Sequence, residues 1–292
     1  MANVYFVGRP GGPWTLVDTG VPDRTQPILE AAEQLYGSGA RPESILLTHG
    51  HRDHAGSAAE LAKTWDVSIF AHSLELPYLT GRSKYPPPDP TVGGFMALLG
   101  RFFPAWSGDL SDRVRPLEAG SEAPGLPGWE WHHTPGHSPG HIVFFRRTDA
   151  TLIAGDAITT MNLDSFFATI AQMQRVCGPP APFTTDWIRA RESVKKLADL
   201  RPLTVASGHG VPMSGGKVVQ QLAELATNLP MPSSGRYIRE PALANENGVV
   251  YLPPQPPDNL PAAAMLVGAA AAAGAMFAVA ARRRKRKELT TT

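Results

Sequence analysis

A single cysteine, Cys177, stands among the 292 residues, so no intrachain disulfide can form. It lies in a Gly/Pro-rich stretch, matches no ligand pattern, and is expected to be chemically inert. Charge is also sparse: Asp, Glu, Lys and Arg make up 18% of the chain, and the net charge is +1. Six of the 27 basic residues are consecutive, Arg282 to Lys287, which leaves 21 against 26 acidic residues elsewhere, a balance of −5. A nucleic-acid groove needs a surplus of Lys and Arg on the folded body, so no nucleic-acid partner is expected. Apolar residues are plentiful at 42%, enough to bury the core of a large α/β domain.

What is present is concentrated in nine residues, Thr48-His49-Gly50-His51-Arg52-Asp53-His54-Ala55-Gly56. Residues two apart in an extended segment point the same way, so His49 and His51 can grip one cation together. A turn just after them would aim Asp53 and His54 at a second. Ile45-Leu46-Leu47 before the cluster reads as a buried strand and residues 56–64 after it as a helix, placing the cluster on a strand-to-helix loop. Imidazole and carboxylate together suit zinc, and also iron or manganese.

Ligand-type residues recur in similar settings. His137 sits in the punctuated turn Thr134-Pro135-Gly136-His137-Ser138-Pro139-Gly140-His141. Asp156 ends the apolar run Thr151-Leu152-Ile153-Ala154-Gly155, whose glycine lets backbone approach closely. His209 ends the run from Leu203 to Gly208. Each lies at the C-terminal end of a strand, where open α/β folds build their sites.

These pieces, with Leu16-Val17-Asp18-Thr19-Gly20 ahead of them, resemble the metallo-β-lactamase-fold hydrolases, in the lactonase and glyoxalase II-like branch. They occur in the family's order across roughly residues 4–215. The resemblance implies an α/β fold, a four-layer αββα sandwich with two metal ions at one edge. It assigns His49, His51 and His137 to the first metal, Asp53, His54 and His209 to the second, and Asp156 to a bridge between them. Asp18 is the candidate to orient a metal-bound imidazole. His141 is expected to fix its loop by hydrogen bonds, while His72, His132 and His133 are expected to be structural or surface residues.

The implied chemistry is hydrolysis by a hydroxide bridging two divalent ions, zinc first with iron or manganese as alternatives. Asp53 would pass the proton to the leaving group. The expected substrate is a small ester, lactone or thioester. True β-lactamases of this fold lack an aspartate at the position of Asp156. Quorum-signal lactonases place a tyrosine three residues after it, where this chain has Thr159. A glutathione thioesterase would carry a helical C-terminal domain. Two other readings use the same residues: a mono-iron persulfide dioxygenase held by His49, His137 and Asp156, and a membrane-tethered, non-catalytic binding module.

The catalytic domain is expected over residues 1–230, with helices at Pro27 to Tyr36, Trp187 to Leu200 and Gly215 to Leu229, and Asp186 as an N-cap. Phe166, Phe167 and Met173 are candidate pocket walls. Residues 231–258 read as a hairpin (Arg236 to Ile238 with Val249 to Leu252) and a Pro-rich linker. No residue from Asn259 to Ala281 is charged, a span of 23 that reads as a C-terminal transmembrane helix. The basic tail, 282–292, follows. The expectation is a membrane partner through 259–287 and a single-pass anchor. The basic tail held inside would place the catalytic domain outside, whereas a first segment that reads as a strand and not as an apolar leader favours a catalytic domain in the cytoplasm.

Overall fold

The computed structural model describes residues 2–103, 109–118 and 122–258. Two five-stranded sheets carry the fold among them. The first runs β1 (Tyr5–Gly8), β2 (Trp14–Val17), β3 (Ile45–Leu46), β4 (Ile69–Ala71) and β5 (Val114–Pro116) in spatial order. Its first pair is antiparallel and the rest are parallel. The second contains β6 (Trp129–His133), β7 (Ile142–Arg146) and β8 (Thr151–Gly155). β9 (Thr159–Met161) and β10 (Gln174–Cys177) then form a small separate ribbon. Next come β11 (Thr204–Ser207), parallel to β8, and β12 (Met213–Ser214) at the edge.

Alternation along these strands builds three apolar layers. Trp14 and Leu16 of β2, Ile45 of β3 and Ile69 of β4 join a cluster with α1 (Thr25–Tyr36), α2 (Arg52–Ala55) and α3 (Ala58–Trp65). Their neighbours Val17, Leu46 and Phe70 point the other way and meet Ile142, Phe144, Ile153 and Ala206 of the second sheet. Val143, Phe145, Leu152, Ala154 and Val205 occupy the far face of that sheet. A strand buried on both sides needs apolar residues at every position, which is why these runs are continuous. The result is helix, sheet, sheet, helix, in agreement with the α/β expectation.

Shorter helices follow in α4 (Leu76–Leu79), α5 (Phe95–Gly100) and α6 (Phe166–Ala171). The outer layer on the second sheet is α7 (Trp187–Asp199) with α8 (Gly216–Thr227). Helix α7 starts where expected, because the Asp186 side chain accepts from the Arg189 N–H at 2.9 Å. It buries Trp187, Ala190, Val194 and Leu197, one stripe of a 3.6-residue period. On the opposite side Trp14 stacks on Tyr36 at 4.5 Å and meets Trp65 edge-on at 5.6 Å, locking α1 and α3 to the first sheet.

Residues 231–258 pack back on this body. Tyr237 is buried in the outer core of the second sheet, and its hydroxyl donates to Pro87 O at 2.8 Å. Arg236 Nε donates to Pro253 O at 2.6 Å. Those bonds hold 236–238 in a turn, so the hairpin forms between β13 (Leu243–Asn245) and β14 (Gly248–Tyr251) instead of from Arg236.

The expected C-terminal hydrophobic helix and single-pass membrane anchor are corrected. No described helix is long and apolar enough to cross a membrane. The longest, α7, has 13 residues, about 20 Å at 1.5 Å per residue, against the 30 Å of a bilayer core. The apolar run 259–281 and the basic tail lie outside the described residues, which give no support to a membrane partner.

Candidate metal centre

Strand β3 ends at Leu46, and the chain runs on through Thr48 and His49 to His51, which has extended backbone angles and precedes α2. His49 and His51 therefore share an extended segment, while Asp53 and His54 ride the first turn of α2. His137 comes from the turn between β6 and β7. Asp156 directly follows β8, and His209 lies two residues past β11. His49 and His54 are fully buried; Asp53 keeps 39% of its side chain exposed.

The fold brings all seven residues together. The ligand-type atoms of His49, His51 and His137 lie within 4.8 Å of one another, as do those of Asp53, His54 and His209, and those of His49, His54 and Asp156. His51 Nδ1 is 2.9 Å from His137 Nε2. Asp156 Oδ2 lies between the groups, 3.3 Å from His209 Nε2, 3.5 Å from His54 Nε2 and 3.6 Å from His137 Nε2. Asp53 Oδ2 is 3.2 Å from His209 Nε2.

Burial acts on every group of the cluster, and charged neighbours decide where it is overcome. It pushes His49 and His137 well below the usual histidine pKa, and His51 down to about 4, so these imidazoles are neutral and keep a lone pair. Burial would also lower His54 and His209, but the carboxylates win. Asp156, Asp53 and Asp18 raise His54, and Asp156 with Asp53 raises His209 to about 9. The effect is mutual: burial would raise Asp53 and Asp156, yet His54 and His209 hold both below the usual carboxylate range.

The residues fit a cation. His49 Nε2, His54 Nε2, His137 Nδ1 and Asp156 Oδ1 are buried without a hydrogen-bond partner. Burying such atoms unpaired is costly, and four in one cluster point to a bound charge that satisfies them. Five imidazoles and two carboxylates are the donor set of zinc, and also of iron or manganese.

A surrounding layer fixes these side chains. Asp18 accepts from the Thr48 N–H, the Thr48 hydroxyl and His54 Nδ1, each at 2.8 Å, which leaves His54 Nε2 as the free nitrogen. His141 behaves as a loop-fixing residue. Its Nε2 accepts from the Asp156 N–H at 2.9 Å and its Nδ1 bonds Thr134 Oγ1 at 2.9 Å. The expected close approach at Gly155 is seen: a Cβ there would lie 2.6 Å from His141 Nε2, and its φ is +48°. His72 and His133 stack on each other away from the cluster, at 4.1 Å. Phe167 and Met173 are exposed, at 81% and 59%.

Four supporting residues were not foreseen. Asn3 Nδ2 donates to Ser207 O and Gly210 O, and the Tyr5 hydroxyl to Ser207 O, tying β1 to the His209 loop. Glu75 and Tyr85 are buried beside Gly50. The partners of Asn3 and Tyr5 are about 200 residues away, so no local pattern shows them. Glu75 did leave a signal, as a lone acid in the apolar run from Leu74 to Leu79 just past a strand of the parallel sheet.

Comparison with known proteins follows the same lines. Residues 1–209 match the profile of the metallo-beta-lactamase superfamily. The chain is 42% identical over 232 residues to a probable metallo-hydrolase, YflN, of Bacillus subtilis, covering 78% of this chain and 88% of that protein. A second probable metallo-hydrolase of the same organism, YybB, is 31% identical over 208 residues, covering 71% and 80%. The crystal structure of TTHA1623 in a di-iron-bound form superposes with a TM-score of 0.51 at 28% identity, over 78% of this chain and 94% of that one.

Proposed function

This chain belongs to the metallo-beta-lactamase superfamily, and from that premise we propose that it is a dinuclear hydrolase of a small ester, lactone or thioester. It is a metal-dependent hydrolase, as its family and relatives indicate. The observation that carries the dinuclear reading is the place of Asp156, whose Oδ2 lies within 3.6 Å of His137 in one group and of His54 and His209 in the other. On this reading His49, His51 and His137 hold one ion, Asp53, His54 and His209 the second, and Asp156 serves both. Zinc suits the donors, and the di-iron relative makes iron the alternative to test.

Two such ions would supply an acidified water and an electrophile for the substrate carbonyl. The protein supplies the rest. Asp18 and His141 fix the His54 tautomer and the Asp156 backbone. Asp53 is the more exposed of the two central carboxylates and can hand a proton to a leaving group. The Phe183 ring lies 6.1 Å from the His51 ring and gives the site an apolar wall. Thr159 occupies the position of the lactonase tyrosine, but its hydroxyl bonds the carbonyls of Met161 and Gly178 at 2.9 and 3.2 Å. That engagement argues against acyl-homoserine lactones as the substrate. A mono-iron dioxygenase would leave the Asp53, His54 and His209 group without a use.

The test is metal analysis of the purified chain, joined to an ester, lactone and thioester panel. Two zinc ions per chain with hydrolysis, and loss of both metal and turnover in Asp156→Ala, are expected. An Asp156→Ala protein that keeps its metals and its activity would overturn the reading. One iron, with oxygen consumed on a glutathione persulfide, would replace it with the oxidoreductase.

A further inference from the structure

The Glu75 side chain is fully buried, and no Lys, Arg or His forms an ion pair with it among the described residues. Three of its four hydrogen bonds come from the two loops that carry ligand-type histidines, and the fourth comes from Tyr85. Oε2 accepts from the Gly50 N–H at 2.9 Å and from the Tyr85 hydroxyl, which also receives the Gly50 N–H at 3.0 Å. Oε1 accepts from the Ser138 hydroxyl at 2.8 Å and the Gly140 N–H at 2.7 Å. Gly50 stands between His49 and His51, and Ser138 adjoins His137.

Glycine at both contact points is a matter of room. Neither has positive φ. A Cβ at Gly50 would lie 2.6 Å from the Tyr85 hydroxyl, and one at Gly140 would lie 2.8 Å from Glu75 Cγ. The Asp53, His54 and His209 group receives no bond from Glu75; there His54 is held by Asp18.

We propose that Glu75 is a positioning residue that sets the separation of the His49–His51 segment and the His137 turn, and so tunes one cation site of the two. The proposal rests on the reading that His49, His51 and His137 hold a metal. A carboxylate is required because Gly50 and Gly140 present obligate donors, one to each oxygen. An amide has one acceptor oxygen, so its NH2 group must oppose one of the two backbone N–H groups. Aspartate is one methylene too short to span both loops.

The experiment titrates the chelator-stripped full chain with zinc in competition with a chromophoric chelator. The variants His51→Ala and His209→Ala identify which binding phase belongs to which group. Glu75→Gln is expected to weaken the phase that His51→Ala abolishes by about ten- to a hundredfold, the usual effect of losing an outer hydrogen-bond partner of a ligand. The phase that His209→Ala abolishes should be unchanged. Equal weakening of both phases, or of neither, overturns the proposal. If Glu75→Gln does not fold, Ser138→Ala removes a single bond and is read by the same criterion. A wild-type chain with one phase defeats the dinuclear reading while Glu75 is still judged on that phase; a wild-type chain that binds no zinc defeats both.

Discussion

Asp18→Asn isolates the choice of tautomer from everything else in the site. The aspartate has φ +59°, a conformation asparagine also tolerates, so the backbone has no reason to move. The side chain is 2% exposed and its oxygens serve Thr48 and His54. If the amide keeps its oxygen on the Thr48 N–H, its NH2 faces His54 Nδ1. His54 must then carry its proton on Nε2, the nitrogen needed for the cation. If the amide turns over, the buried Thr48 N–H loses its acceptor, at about 1–3 kcal/mol. Either way the group of Asp53, His54 and His209 should lose about ten- to a hundredfold in zinc affinity, or about 1.4–2.7 kcal/mol. The assay is zinc competition on the stripped protein, with circular dichroism to show that the fold is kept. A folded variant whose two zinc affinities match the wild type would refute the tautomer argument.

Gly208→Ala should disturb both groups at once. Its φ is not positive, but the new Cβ would lie 2.2 Å from Asp156 Oδ1 and 2.5 Å from His54 Cε1. Displacing those groups by about 1 Å should cost about a hundredfold in turnover, and wild-type rates with full metal content would contradict it. His209, raised to about 9 by Asp156 and Asp53 against the effect of burial, gives a pH dependence. Its folded pKa exceeds the ordinary 6.5, so in the stripped protein this contribution is complete below pH 6.5 and fades as pH rises through 9. A cation takes the proton's place in the loaded protein. The gap in melting temperature between loaded and stripped forms should therefore widen from pH 6.5 to 9, and a constant gap would contradict the assignment.

Apart from His137, which follows a half-buried edge strand, the ligand-type residues were legible because they lie just beyond apolar runs that the fold buries on both faces, as Ile45-Leu46-Leu47 and Leu152-Ile153-Ala154 show. Runs of that kind declare the strand and so the end at which the site is built. The residues that orient the site were less legible. Asp18 was found through its place beside the second strand, whereas Asn3 and Tyr5 act on Ser207 from the far end of the chain. The ribbon of β9 and β10 left no trace, since three- and four-residue strands joined across an irregular register show no alternation. The hairpin was misplaced because Arg236 is held by Asp89, Pro253 and Gln255 and Tyr237 by Pro87, bonds between distant residues that local strand preference does not reveal.

Every candidate ligand group draws on both sheets: His49, His51, Asp53 and His54 come from loops of the first, and His137, Asp156 and His209 from loops of the second. A cation held by any of them would act as a long-range cross-link, closing a large stretch of chain into a loop and depriving the unfolded state of entropy. Such closure is what disulfides give other proteins, and a chain with one cysteine has no covalent route to it. Chelation should accordingly loosen the seam between the sheets, where Val17, Leu46, Phe144 and Ile153 meet, before it disturbs the helices packed outside.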